Sequence, residues 1–129
     1  MRLKYVLGAA ILMVLSTPAM AQECARWGEP AELSGILVEG IYPGPPEYES
    51  VERGDAAYTA LLLHLTTPIC VSEGSDPEEP AIESTELVQL ACSPKRISRL
   101  KSGERITVSG TLFSAHTGYH VTPALLDCQ

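Results

Sequence analysis

The residues able to do chemistry gather toward the end of the chain. His116 and His120 flank the last turn, and two imidazoles on either side of a hairpin can share a metal ion, with His64 or a carboxylate as a third ligand. A spacing of four on a hairpin is not a zinc signature, so the reading from sequence is a pair of loop histidines and no resident metal or cofactor. Ser109 or Ser114 can be written with His116 or His120 and Asp127 as a hydrolytic triad, but no G-x-S-x-G elbow frames either serine. Carboxylates are plentiful between Glu73 and Glu86, yet they lie in a solvated stretch where desolvation cannot tune them for acid–base work. The expectation is a protein that binds and does not catalyse.

A second constellation is Pro43-Gly44-Pro45-Pro46-Glu47-Tyr48-Glu49-Ser50, followed by Gly54-Asp55. Three prolines stiffen the backbone at low entropy cost. Such a loop can hold Tyr48 as a rigid aromatic anchor for a partner, with Glu47 beside it and Asp55 closing the turn. Tyr119, between the two histidines, is a further binding candidate. The candidate binding residues are therefore Tyr48, Glu47, Asp55, His116, Tyr119 and His120. Trp27, the one tryptophan, reads as a core or end-capping residue.

These residues need a scaffold, and the apolar pattern supplies strands. Five are expected: Leu33–Tyr42, Tyr58–Val71 with a bend at Pro68, Glu86–Cys92, Arg105–Phe113 and His120–Leu126. Pro43–Pro46, Glu52–Asp55, Ser72–Pro80, Lys101–Glu104 and Ser114–Tyr119 are the turns between them. Ser93–Leu100 suits a short helix with Ser93 as N-cap and Pro94 in its first position. Five short strands with a helix before the fourth predict a mainly β fold, a small five-stranded barrel of the oligonucleotide/oligosaccharide-binding type; a β-sandwich is the alternative. Gly35 and Gly110 fall where such a barrel must curve sharply.

The first residues read as an export signal. Arg2 and Lys4 precede the apolar run Tyr5–Leu15, and Ala19-Met20-Ala21 is an A-x-A cleavage motif, placing the cut after Ala21. The run is too short for the roughly 20 residues of a membrane-spanning helix, and Glu23 before Cys24 does not fit a lipid-anchor box. Residues 22–129 are then a single domain, expected in the periplasm or outside the cell and not embedded in a membrane. The chain's formal charge of −7 becomes two units more negative without Arg2 and Lys4. That disfavours nucleic acid, whose binding is driven by basic side chains, and favours another envelope protein as partner, as for an inhibitor or immunity-type protein. Metal or small-ligand binding at the His116/His120 hairpin is the alternative. Nothing in the sequence indicates an oligomeric state. Acidic residues crowd Glu73–Glu86 and basic ones Lys95–Arg105, and the two clusters are expected partly to complement each other across the fold.

Cys24, Cys70, Cys92 and Cys128 imply two disulfides in an exported domain. Three connectivities are possible. Cys70–Cys92, closing the acidic segment, with Cys24–Cys128, tying the ends, is the favoured one.

Three segments together resemble the uncharacterised bacterial domain-of-unknown-function family 4431: the Pro43–Ser50 stretch with Gly54-Asp55; Pro68-Ile69-Cys70-Val71; and Val108-Ser109-Gly110-Thr111-Leu112-Phe113 with Thr117–Pro123. The resemblance covers about residues 33–127. It implies an exported bacterial domain and carries no assigned activity. The family pattern is richer in histidine after Thr117-Gly118, whereas this chain has Tyr119 and Val121 nearby, which weighs against a metal site.

Overall fold

The structure is a computed structural model that describes residues 10–18 and 22–129. The basic start of the expected export signal, Arg2 and Lys4, and its expected cleavage motif Ala19–Ala21 lie outside the described residues.

Six strands form: β1 (Ala25–Arg26), β2 (Pro30–Pro43), β3 (Ala57–Ser72), β4 (Ile82–Cys92), β5 (Arg105–Ser114) and β6 (Ala124–Cys128), with the one-turn helix α1 (Pro94–Ile97) between β4 and β5. The five long strands close a barrel in the order β2-β3-β4-β6-β5 and back to β2, with β4 and β6 parallel and the other neighbours antiparallel. This is the oligonucleotide/oligosaccharide-binding type of barrel predicted from the sequence, and not the sandwich. The added strand is β1, which pairs in parallel with the end of β3.

Strand β2 makes closure possible by serving two neighbours. Pro30–Ile36 pair with β5 and Gly35–Pro43 pair with β3, so the strand passes from one half of the barrel to the other at Gly35–Ile36. A Cβ on Gly35 would run into the backbone carbonyl of His64. Only glycine allows the strands to approach this closely. Alternate residues then point inward. Leu33 faces Val108, Leu37 faces Leu63, Leu63 faces Val88, and Leu126 faces both Leu90 and Leu112. All are buried, and Trp27 covers one edge of this core with its indole N–H donating to the Pro80 carbonyl at 3.1 Å.

Four sequence expectations need correction. The disulfides are Cys24–Cys70 and Cys92–Cys128, not Cys70–Cys92 and Cys24–Cys128. Strand register decides this: Ala25 is the partner of Val71, placing Cys24 beside Cys70 (Cα–Cα 4.7 Å), and Cys92 is the direct partner of Cys128 (Cα–Cα 4.3 Å). The last strand spans Ala124–Cys128 instead of His120–Leu126, because residues 119–122 are held by side chains and not by a strand ladder. Helix α1 is shorter than Ser93–Leu100, and the Ser93 hydroxyl makes no capping bond. Finally, no carboxylate of the 73–86 stretch comes within 4.0 Å of a cation of the 95–105 stretch among the described residues, where the one close ionic contact is His64–Glu86 at 3.9 Å. The bend at Pro68 is present: β3–β4 pairing lapses between His64 and Ile69, where proline has no N–H to give.

Candidate functional site

The site begins with an aspartate. Asp55 is buried, and its carboxylate accepts the backbone N–H groups of Glu47 (2.9 Å), Glu49 (2.8 Å) and Ser50 (2.9 Å). These three donors, Ser50 foremost, hold its carboxyl below the ordinary aspartate value, with a smaller contribution from the Arg53 charge. The loop 44–56 between β2 and β3 is thus wound around one anion. The Tyr48 N–H donates to the Gly44 carbonyl (3.0 Å) and the Ala56 N–H to that of Pro45 (2.9 Å). Tyr48 itself takes a left-handed conformation, φ 59°. A non-glycine residue stays there only when its surroundings fix it.

What fixes it is the loop 115–123 between β5 and β6. A Cβ on Gly118 would sit 2.7 Å from the Tyr48 ring, so the ring occupies space that only a residue without a side chain leaves open. Tyr119 meets Tyr48 edge to face (centroids 5.4 Å) and Tyr58 likewise (5.0 Å). Partial desolvation and the Tyr119 hydroxyl raise the Tyr48 phenol above its usual value.

The second loop is anchored by Gln89, buried on β4. Its side-chain amide donates to the Tyr119 carbonyl (3.0 Å) and the Tyr58 hydroxyl (3.2 Å), and its carbonyl accepts the Val121 N–H (2.7 Å). Its own N–H donates to the Thr122 hydroxyl (3.0 Å), which donates onward to the Ala124 carbonyl (2.7 Å). Gln89 pairs laterally with Leu62 and Leu125. This row lies on the opposite strand face from Leu63, Val88 and Leu126, yet all three of its residues are buried. The loop therefore folds down over the outer face of the barrel.

The histidines buttress that loop. His120 Nδ1 accepts the N–H groups of His116 (2.9 Å) and Thr117 (3.2 Å), which leaves its proton on Nε2. His116 Nδ1 lies 3.0 Å from the Ser114 carbonyl and so carries the proton. The rings meet edge to face at 4.6 Å, and both pack near Phe113. Desolvation, then the neighbouring His116 charge, lowers the His120 value. The Nδ1 lone pair a metal would need on His120 is already engaged, and no cluster of three metal-ligating side chains occurs among the described residues. His64 sits instead beside Glu86.

No triad assembles. The Ser109 hydroxyl donates to Glu32 (3.5 Å), Ser114 meets His116 through its backbone, and the Asp127 carboxylate accepts from Gln129 (2.7 Å). All six binding candidates read from sequence do fall in the two loops that meet at this end of the barrel. Sequence reasoning missed Gln89 and Tyr58. The only signal for Gln89 was a lone amide in the apolar run Leu87-Val88-Gln89-Leu90-Ala91, and Tyr58 read simply as a strand residue.

Fold and site together define a small two-disulfide barrel with its two loops locked over one face. Residues 87–129, from late β4 through β6, match the family described as Domain of unknown function (DUF4431), which is the family the sequence resembles. No curated protein matches the chain.

Proposed function

We propose that this chain is a non-enzymatic binding domain, exported to an oxidising compartment of the bacterial envelope, that engages another envelope protein through the joined loops carrying Tyr48 and Tyr119. One observation carries the reading: Tyr48 and Tyr119, from separate loops, are clamped by Asp55 and Gln89 yet stay 37% and 42% exposed. Anchors held in place before contact avoid the ordering cost of association, and tyrosine is favoured where a side chain must be half apolar and half polar. Glu47, Glu49 and Glu52 are exposed around them, so the matching partner surface is basic, as for an inhibitor of a cationic envelope enzyme. The leader-like first residues and the absence of free cysteines support the compartment.

The test is capture from periplasmic extract by wild type, Tyr48→Ala, Tyr119→Ala and, as a control on the far strand, Thr107→Ala. A partner retained by wild type and Thr107→Ala, and lost from both tyrosine variants, is the expected result. Equal retention by all four contradicts the proposal.

A further inference from the structure

At the other end of β6 the chemistry is reversed. Lys95, Arg96, Arg99, Lys101 and Arg105 are five of the chain's nine lysines and arginines, packed into 11 residues of an acidic protein. Arg105 donates to the Thr66 hydroxyl (2.9 Å). Lys95, Arg96 and Arg99 make no ion pair and no side-chain hydrogen bond among the described residues. With Ser93, Leu100 and Gln129 they line a pocket of about 300 Å³.

The pocket is built on a rigid base. Ser93 follows Cys92 and Gln129 follows Cys128, so the Cys92–Cys128 disulfide joins the two walls directly. The Ser93 N–H also donates to the Cys128 carbonyl (3.4 Å). The nearby carboxylate of Asp127 is already held by the Gln129 side chain. Two guanidinium groups offer forked donors suited to phosphate oxygens, Lys95 adds a point charge, and Leu100 gives one apolar wall. In a chain of net charge −7, long-range attraction does not gather anions, so affinity must come from contacts within the pocket itself.

The structure assigns to this pocket a small phosphate-bearing ligand, a phosphomonoester or pyrophosphate group with a short organic portion against Leu100. This is independent of the tyrosine surface. The same chemistry is offered by a free organic phosphate and by a phospholipid headgroup.

Inorganic pyrophosphate titrated into the purified protein, followed by amide NMR, tests the site, with flotation on phosphatidylcholine vesicles with and without phosphatidic acid as the second arm. The expected result is saturable shifts at Ser93, Arg96, Arg99 and Gln129. Affinity falls at least about tenfold in the Arg96→Gln/Arg99→Gln double variant, persists in Arg96→Lys/Arg99→Lys, and is unchanged in Arg26→Gln. Flotation with phosphatidic acid that the double glutamine variant loses identifies a headgroup; pyrophosphate binding without flotation identifies a free phosphate. Neither binding nor flotation, or an equal loss in Arg26→Gln, overturns the assignment.

Discussion

Gln89 shows how much one buried amide can organise. Both ends of its side chain are used, and each partner lies 30 or more residues away along the chain. Gln89→Leu keeps the bulk but strands the Val121 N–H and the Tyr119 carbonyl. Denaturant unfolding of this variant should show a loss of about 2–4 kcal/mol; a neutral change would mean the loop is held by packing alone. His120 gives a second check at this scale. Its folded value lies below the ordinary histidine value of about 6.5, so the unfolded chain takes up its proton first. The stability it contributes is complete above about pH 6.5 and is lost as pH falls through the depressed folded value. Proton NMR of the imidazoles should show His120 titrating below about 6.5, with the His116 and Thr117 amides shifting as it does. A value at or above about 6.5 contradicts the burial of this imidazole beside His116. Tyr48 and Asp55 were legible in the sequence because prolines and Gly-Asp mark a stiff turn locally. Gln89 was not, since a polar residue in an apolar strand does not say which distant backbone it satisfies.

Among the elements, β2 bears the demands of closure. Gly35→Ala forces a methyl against the His64 backbone where β2 changes partners. A loss of about 1–3 kcal/mol in urea unfolding is expected, and wild-type stability would show that the strands can part without cost. The alternation of Leu33–Tyr42 and Arg105–Phe113 made these strands readable, because one face of each is buried and the other is wet. The shift of the last strand to Ala124–Cys128 was unreadable for the opposite reason. Val121 and Thr122 look like strand residues, but the Val121 N–H donates to the Gln89 side chain and the Thr122 hydroxyl accepts the Gln89 N–H, so neither joins the ladder. Residues Ile82–Thr85 were missed because Glu83 and Ser84 mask a strand that pairs across the Pro68 irregularity.

For the molecule as a whole, the barrel puts two unlike surfaces at opposite ends of β6: an aromatic one rimmed by carboxylates and a cationic pocket pinned by a disulfide. Four cysteines told of two cross-links, but their pairing depends on which strands lie side by side, and spacing along the chain does not encode that. Peptide mapping without reduction should recover Cys24–Cys70 and Cys92–Cys128; a Cys70–Cys92 fragment would contradict the register of β1 on β3 and of β4 on β6. Removing Cys92–Cys128 as a paired serine variant should cost about 2–4 kcal/mol.

The central claim is that the two joined loops form one surface that a partner protein covers. A photoreactive phenylalanine analogue placed in the producing cells at Tyr48, at Tyr119 and at the outer-strand control Thr107 tests it directly. The predicted result is the same cross-linked species from positions 48 and 119 and none from 107. Cross-links from 107 alone, different species from 48 and 119, or none from either loop would contradict it.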